Sequence, residues 1–153
     1  MVKVSIVSSS SRITGVTQAL ELIDPEVVIP DKPVMVKPNF VTTSNQLAAT
    51  HVDATRATLD YLSGKGVSQF LIAVGPAIGT PDSGFENYGY RELSNDFKIE
   101  FMDLNTDDRI PVPAFDDQLN PQTLYMSKRL SDSYVVSVCP MKTHNNVVVT
   151  LGL

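Results

Sequence analysis

The period of apolar and polar positions changes several times along this 153-residue chain. Residues 2–9 (VKVSIVSS) alternate and are rich in β-branched side chains, which predicts a first strand. Residues 14–23 place Val16, Ala19, Leu20 and Ile23 at helical spacing, and Asp24-Pro25 ends that helix. A second strand is predicted at residues 34–37, after Pro30 and Pro33. A helix from about 51 to 63 gathers Ala54, Ala57, Leu59, Tyr61 and Leu62, with Thr50 expected as its N-cap. Gly64-Lys65-Gly66 is expected to close it through a left-handed residue. QFLIAVG (69–75) is apolar throughout, as expected of a central parallel strand covered on both faces. Beyond it the pattern predicts a helix at 84–95, a strand at 98–104 and a short strand at 110–114. A helix at 123–130 and a strand at 134–138 follow, and the apolar VVVTLGL (147–153) closes the chain.

Strands that alternate with helices at these spacings predict a three-layer α/β fold. The sheet is expected to be mostly parallel and doubly wound, flanked by helices. The apolar close is expected to be covered by further polypeptide. The chain is therefore read as one α/β domain over 1–153, the N-terminal part of a longer chain and incomplete at its C-terminus. Ligands of such folds bind outside the carboxyl ends of the strands. Three loops with distinctive chemistry follow strands, at 37–50, 75–84 and 140–146.

Composition narrows the partners. A net charge of −5 argues against a nucleic-acid surface. No apolar run approaches the roughly 18 residues of a membrane span, and the start lacks the layout of a signal peptide. A cytoplasmic location is expected. Cys139 is the single cysteine, so the chain holds neither an internal disulfide nor the ligands of an iron–sulfur cluster. It reads first as a small core residue and second as a nucleophile beside a cation.

The candidate chemistry sits at two strand exits, VMVKPNF (34–40) and YVVSVCPMKTH (134–144). Lys37 and Lys142 together would receive a phosphate or carboxylate, with Asn39 and His144 alongside. As surface lysines they would simply reach solvent. His51 and His144, the only histidines, are candidate proton carriers. His51, Asp53 and His144 could also be metal ligands, but that spacing is common by chance and no metal is assigned. Gly75 and Gly79 would let a ligand approach the backbone of GPAIGTPDSG (75–84), which matches no phosphate-loop motif. Ser8–Ser11 reads as a polar turn with helix-cap serines, and secondarily as a phosphate seat. Arg56 is expected in a surface ion pair.

These segments resemble the family called domain of unknown function 362. QALELID, VMVKPNF, THVDATRATLDYLSGKGVSQFLIAVG, Gly79-Thr80, NYGYREL and YVVSVCPMKTH occur in the family's order over nearly the whole chain. The resemblance implies site roles for Lys37, Asn39, Thr50, His51, Lys142, Thr143 and His144. Of these, His51 and His144 are expected as catalytic and the rest as substrate-binding. It also implies a further half-domain beyond TLGL. Some relatives carry a ferredoxin-like module whose cluster cysteines are absent here. Two functions follow as expectations: a site for a small anionic metabolite, which an enzyme would use catalytically, or a non-catalytic ligand- or cofactor-binding module associated with iron–sulfur redox partners. Substrate, cofactor and oligomeric state are not specified by the sequence.

Overall fold

The computed structural model describes residues 3–144 and 148–150. Its strands are β1 (Val34–Pro38), β2 (Phe70–Val74), β3 (Ile99–Asp103), β4 (Arg109–Phe115), β5 (Pro121–Ser127) and β6 (Tyr134–Val138). Its helices are α1 (Arg12–Ile23), α2 (Val52–Gly64), α3 (Pro81–Asn87) and α4 (Lys128–Asp132). β1, β2, β3 and β6 form one parallel sheet in the order β3-β2-β1-β6, and β4 and β5 form a separate antiparallel hairpin. Helices flank the sheet, so the architecture is the expected three-layer α/β fold.

Strand parity divides the core between the two faces. Val34, Val36, Phe70, Ile72 and Val74 point to one side, where Leu59 and Leu62 of α2 and Phe85 of α3 join them. Met35, Leu71 and Ala73 point to the other, against Met102, Leu104 and Leu130 of α4. The chain thus builds outward from β1 through β2 to β3 with α2 and α3 on one face. It then crosses back by way of α4, on the other face, to place β6 on the far side of β1. This reversal makes β1/β6 the topological switch point of the sheet, where open α/β folds keep their ligand crevices.

Four expectations change. Residues 3–9 form no strand; Ser5 Oγ donates to the Ala19 carbonyl of α1 at 2.7 Å, and Val4 and Ile6 are exposed. Alternation is a local signal, whereas a strand also needs an edge to pair with, and this segment lies along α1 instead. Residue 2 of that expected strand lies outside the described residues, as do 145–147 and 151–153 of the last loop and apolar close.

The helix expected at 84–95 starts earlier and is broken. Thr80 caps α3 with Pro81 in its first turn, Gly89 at φ 74° follows its end, and a 3-10 turn spans Arg91–Asn95. The helix expected at 123–130 is mostly β5, whose seven residues pair with β4 from Arg109↔Ser127 to Phe115↔Pro121. Only Lys128–Asp132 is helical, capped by Ser127. Non-local pairing overrides the weak helical spacing of Leu124, Ser127 and Leu130. Finally, His51 rather than Thr50 caps α2. The far end of α2 is as expected: Gly66 at φ 92° closes it, with Val67 N–H donating to Leu62 O and Gly66 N–H to Ser63 O.

α1 rests on α2 without a fully buried residue, and polar contacts pin its C-terminal end. There the Tyr61 hydroxyl donates to Asp24 Oδ1 at 2.7 Å, and the Lys65 ammonium meets the same oxygen at 2.6 Å. The Lys65 and Tyr61 hydrogen bonds hold the Asp24 carboxyl below its usual value. Burial, reinforced by that carboxylate, pushes the Tyr61 hydroxyl up to about 12. A carboxylate with a depressed folded pKa adds stability above its unfolded value of about 4, and the gain is lost as pH falls through the folded value. Asp24→Asn should therefore lower Tm modestly at pH 7, and the gap to wild type should close in acid below about pH 4. Thermal melts from pH 3 to 8 check this; a gap independent of pH contradicts it.

Candidate functional site

Thr50 joins the two strand exits. Its hydroxyl donates to the Val138 carbonyl at the end of β6 at 2.6 Å and accepts from Asn39 N–H, just beyond β1, at 2.9 Å. Its own N–H donates to Asn39 O at 2.8 Å. Its carbonyl accepts from Tyr90 Oη at 3.0 Å, and Thr55 Oγ1 lies 3.0 Å from the same phenol. Thr50 and Tyr90 are both buried, and burial pushes the Tyr90 hydroxyl far above its ordinary pKa. The phenol therefore stays neutral and keeps donating at any physiological pH.

Phe40 fixes the chain on the other side of Asn39. Its buried ring meets Phe85, Tyr88 and Tyr90 edge-on, with centroids 5.8, 5.1 and 5.1 Å away. Such pairs add about 0.5–1.5 kcal/mol each beyond burial. Past Phe40, the loop is tied to the β2 exit. Val41 O accepts from Ala77 and Ile78 N–H, both at 3.2 Å, while Tyr88 Oη donates to Thr42 O at 2.7 Å. Gly79, at φ 92°, is needed here for a different reason from the one expected. A Cβ on it would lie 2.0 Å from Thr43 Oγ1, so the glycine serves loop-to-loop packing and not ligand approach.

The exits of β1, β2 and β6 enclose an open cavity of about 410 Å³ at the switch point. Asn39, Phe40, Val41, Gly75, Ala77 and Pro140 supply much of its wall, with Cys139, Lys142, His144 and Thr150 completing it. That volume suits a small metabolite. Lys142 is half-buried; its ammonium donates to Thr150 Oγ1 at 3.2 Å, and a backbone bridge joins the same two residues. No carboxylate pairs with Lys142 among the described residues. Asn39 Oδ1 is shut from solvent without a hydrogen-bond partner. Cys139 is half-buried with Ser137 Oγ 3.2 Å from its sulfur, and it belongs to neither core cluster. Its placement on the cavity differs from the small core residue expected first.

Of the seven candidate residues, the cavity gathers Asn39, Lys142 and His144. Lys37 is not on its wall. It shares β1 with Met35 at an even spacing and so projects to the α4 face, in register with Ser137. Thr50 lies beneath the site and organises it. Thr143 is exposed and outside the lining. His51 also stands off the cavity: its Nδ1 accepts from Asp53 N–H at 3.2 Å and lies 3.4 Å from Asp53 Oδ2. The first contact needs Nδ1 unprotonated, so this imidazole is engaged as a helix cap. Sequence reasoning did not find Phe40, Val41, Ala77 or Thr150 as wall residues. Only their proximity to the strand exits signalled them.

Outside the cavity, Ser11 caps α1, as the plain reading of the serine turn had it. Arg56 pairs with Asp96 at 2.7 Å on the surface. Among the described residues, no group of three or more His, Cys, Asp or Glu is placed to hold a metal ion, and no helix is long and apolar enough to cross a membrane.

A family model described as domain of unknown function (DUF362) matches residues 34–153. No curated protein and no solved structure matches the chain.

Thr50→Val keeps the shape of the side chain but strands a buried carbonyl and an amide. It should cost about 2–3 kcal/mol in urea unfolding and speed alkylation of neighbouring Cys139, whereas Thr50→Ser should recover most of the loss. Equal stability of the Val and Ser variants would show that the hydroxyl does not join the exits.

Proposed function

The chain belongs to the domain of unknown function 362 family, and from that premise we propose that the β1–β6 cavity binds a small anionic metabolite bearing a phosphate or carboxylate. The observation that carries the reading is Lys142, a half-buried cation on a largely apolar wall with no carboxylate to neutralise it among the described residues. An ammonium in such surroundings interacts with an anion far more strongly than one in open water. Lys142 balances the charge, Asn39 orients the ligand, and Thr150 holds the Lys142 chain in place. Thr50 acts one layer down, as the residue that positions Asn39. Lys37, Thr143 and His51 are not given ligand contacts in this proposal.

In the catalytic form of the reading, His144 on the cavity wall carries the proton. The non-catalytic form, a ligand- or cofactor-binding module that serves an iron–sulfur redox partner, needs no histidine at the site. Of the two histidines only His144 reaches the cavity, because His51 is committed to capping α2. Cys139 alone cannot hold a cluster, so in that form the partner brings its own ligands.

Cys139, the sole thiol, reports on occupancy. Inorganic phosphate or acetate bound beside it should slow its alkylation by iodoacetamide, by roughly fourfold at three times the dissociation constant. Lys142→Met should abolish the protection while the circular dichroism spectrum and Tm stay near wild type, and Lys142→Arg should retain part of it. Protection that persists undiminished in Lys142→Met would sink the anion-site reading.

A further inference from the structure

Among the described residues, Asn39 is the one on the cavity wall with a buried side-chain atom that lacks a hydrogen-bond partner. Its backbone is fully engaged, with N–H and C=O both bound to Thr50. Its side-chain Oδ1 is buried and lacks a partner, the only such atom among the described residues. A buried carbonyl oxygen without a donor destabilises the empty protein. In a chain that satisfies its other described buried side-chain groups, such an exception marks a place where a partner is missing. Asn39 and Lys142 both line the cavity, and the apolar Phe40, Val41, Ala77 and Pro140 line it with them.

We infer that the ligand carries two unlike groups on one small, partly apolar body: an anionic end for Lys142 and an N–H or O–H donor for Asn39 Oδ1. This rests on the anion-site reading and adds the second group. Oδ1 is closed off in the empty cavity, so binding turns the amide about χ2, a soft torsion in asparagine, to face the donor. Hydroxy acids and amino acids have this layout; simple carboxylates lack the second group. Discrimination follows because a ligand without the donor leaves the asparagine oxygen unpaired, as it is in the empty protein.

The probes are mandelate and phenylacetate, which share a carboxylate and an aromatic body and differ by one hydroxyl. Isothermal titration with wild type should show mandelate binding about three- to tenfold tighter. Asn39→Leu, close to isosteric, should lose the preference for mandelate over phenylacetate. The same variant should melt at or above the wild-type temperature, since it removes an unpaired buried oxygen and leaves both backbone bonds to Thr50 intact. If both acids bind wild type equally, the donor inference is overturned and the anion site stands. A preference for mandelate that survives in Asn39→Leu likewise overturns it, because the hydroxyl is then read elsewhere. A fall in Tm for Asn39→Leu shows that the amide has a structural partner and also overturns it. If neither acid binds wild type at tens of millimolar while Lys142 variants behave alike, the anion site itself fails and takes the inference with it.

Discussion

The hydroxyl of Thr50 is the interaction on which the site depends. A parallel sheet delivers its strand ends to one edge, but the loops that leave those ends have no reason of their own to stay together. Thr50 supplies one. It accepts from the chain just beyond β1 and donates to the last carbonyl of β6, so one oxygen bridges Asn39 to Val138, which lies 88 positions from Thr50. Tyr90 holds the Thr50 carbonyl from behind, and the Phe40 ring locks the next residue into an aromatic cluster. The cavity is what remains between exits fixed in this way.

The order of the strands gives this clasp its meaning. β1 leads outward through β2 to β3, and the chain then returns to lay β6 on the other flank of β1. Helices follow suit, with α2 and α3 on one face and Leu130 of α4 on the other. The neighbouring exits of β1 and β6 therefore lie at the switch point, where open α/β folds form their crevices. Thr50 closes the base of that crevice without filling it. Lys142 and Asn39 are left on its wall with capacity to spare, a cation without a carboxylate and an acceptor without a donor among the described residues.

Much of this was legible in the residues. The apolar runs at β1, β2, β3 and β6 located the sheet within a residue or two, and Lys-Pro-Asn and Lys-Thr-His marked the two exits that meet. What was not legible was whatever depends on partners distant in sequence. Thr50 looked like a helix cap because capping is local; its bond to Val138 is not. β5 looked helical until β4 claimed it. Residues 3–9 looked like a strand, yet a strand needs an edge. The pairing of Lys37 with Lys142 failed for a simpler reason. Parity along β1 sends Lys37 to the side of Met35, and two lysines at neighbouring exits need not face one cavity.

The central claim is that the joined exits of β1 and β6 form one ligand site. Its most direct test is an amide NMR titration of the intact chain with inorganic phosphate. The account expects saturable shifts at Asn39, Val41, Gly75, Ala77, Cys139 and Lys142, with the β4–β5 hairpin unmoved. Shifts that fail to saturate there, or that gather instead around Ser11 and Gly15 at the start of α1, would contradict it.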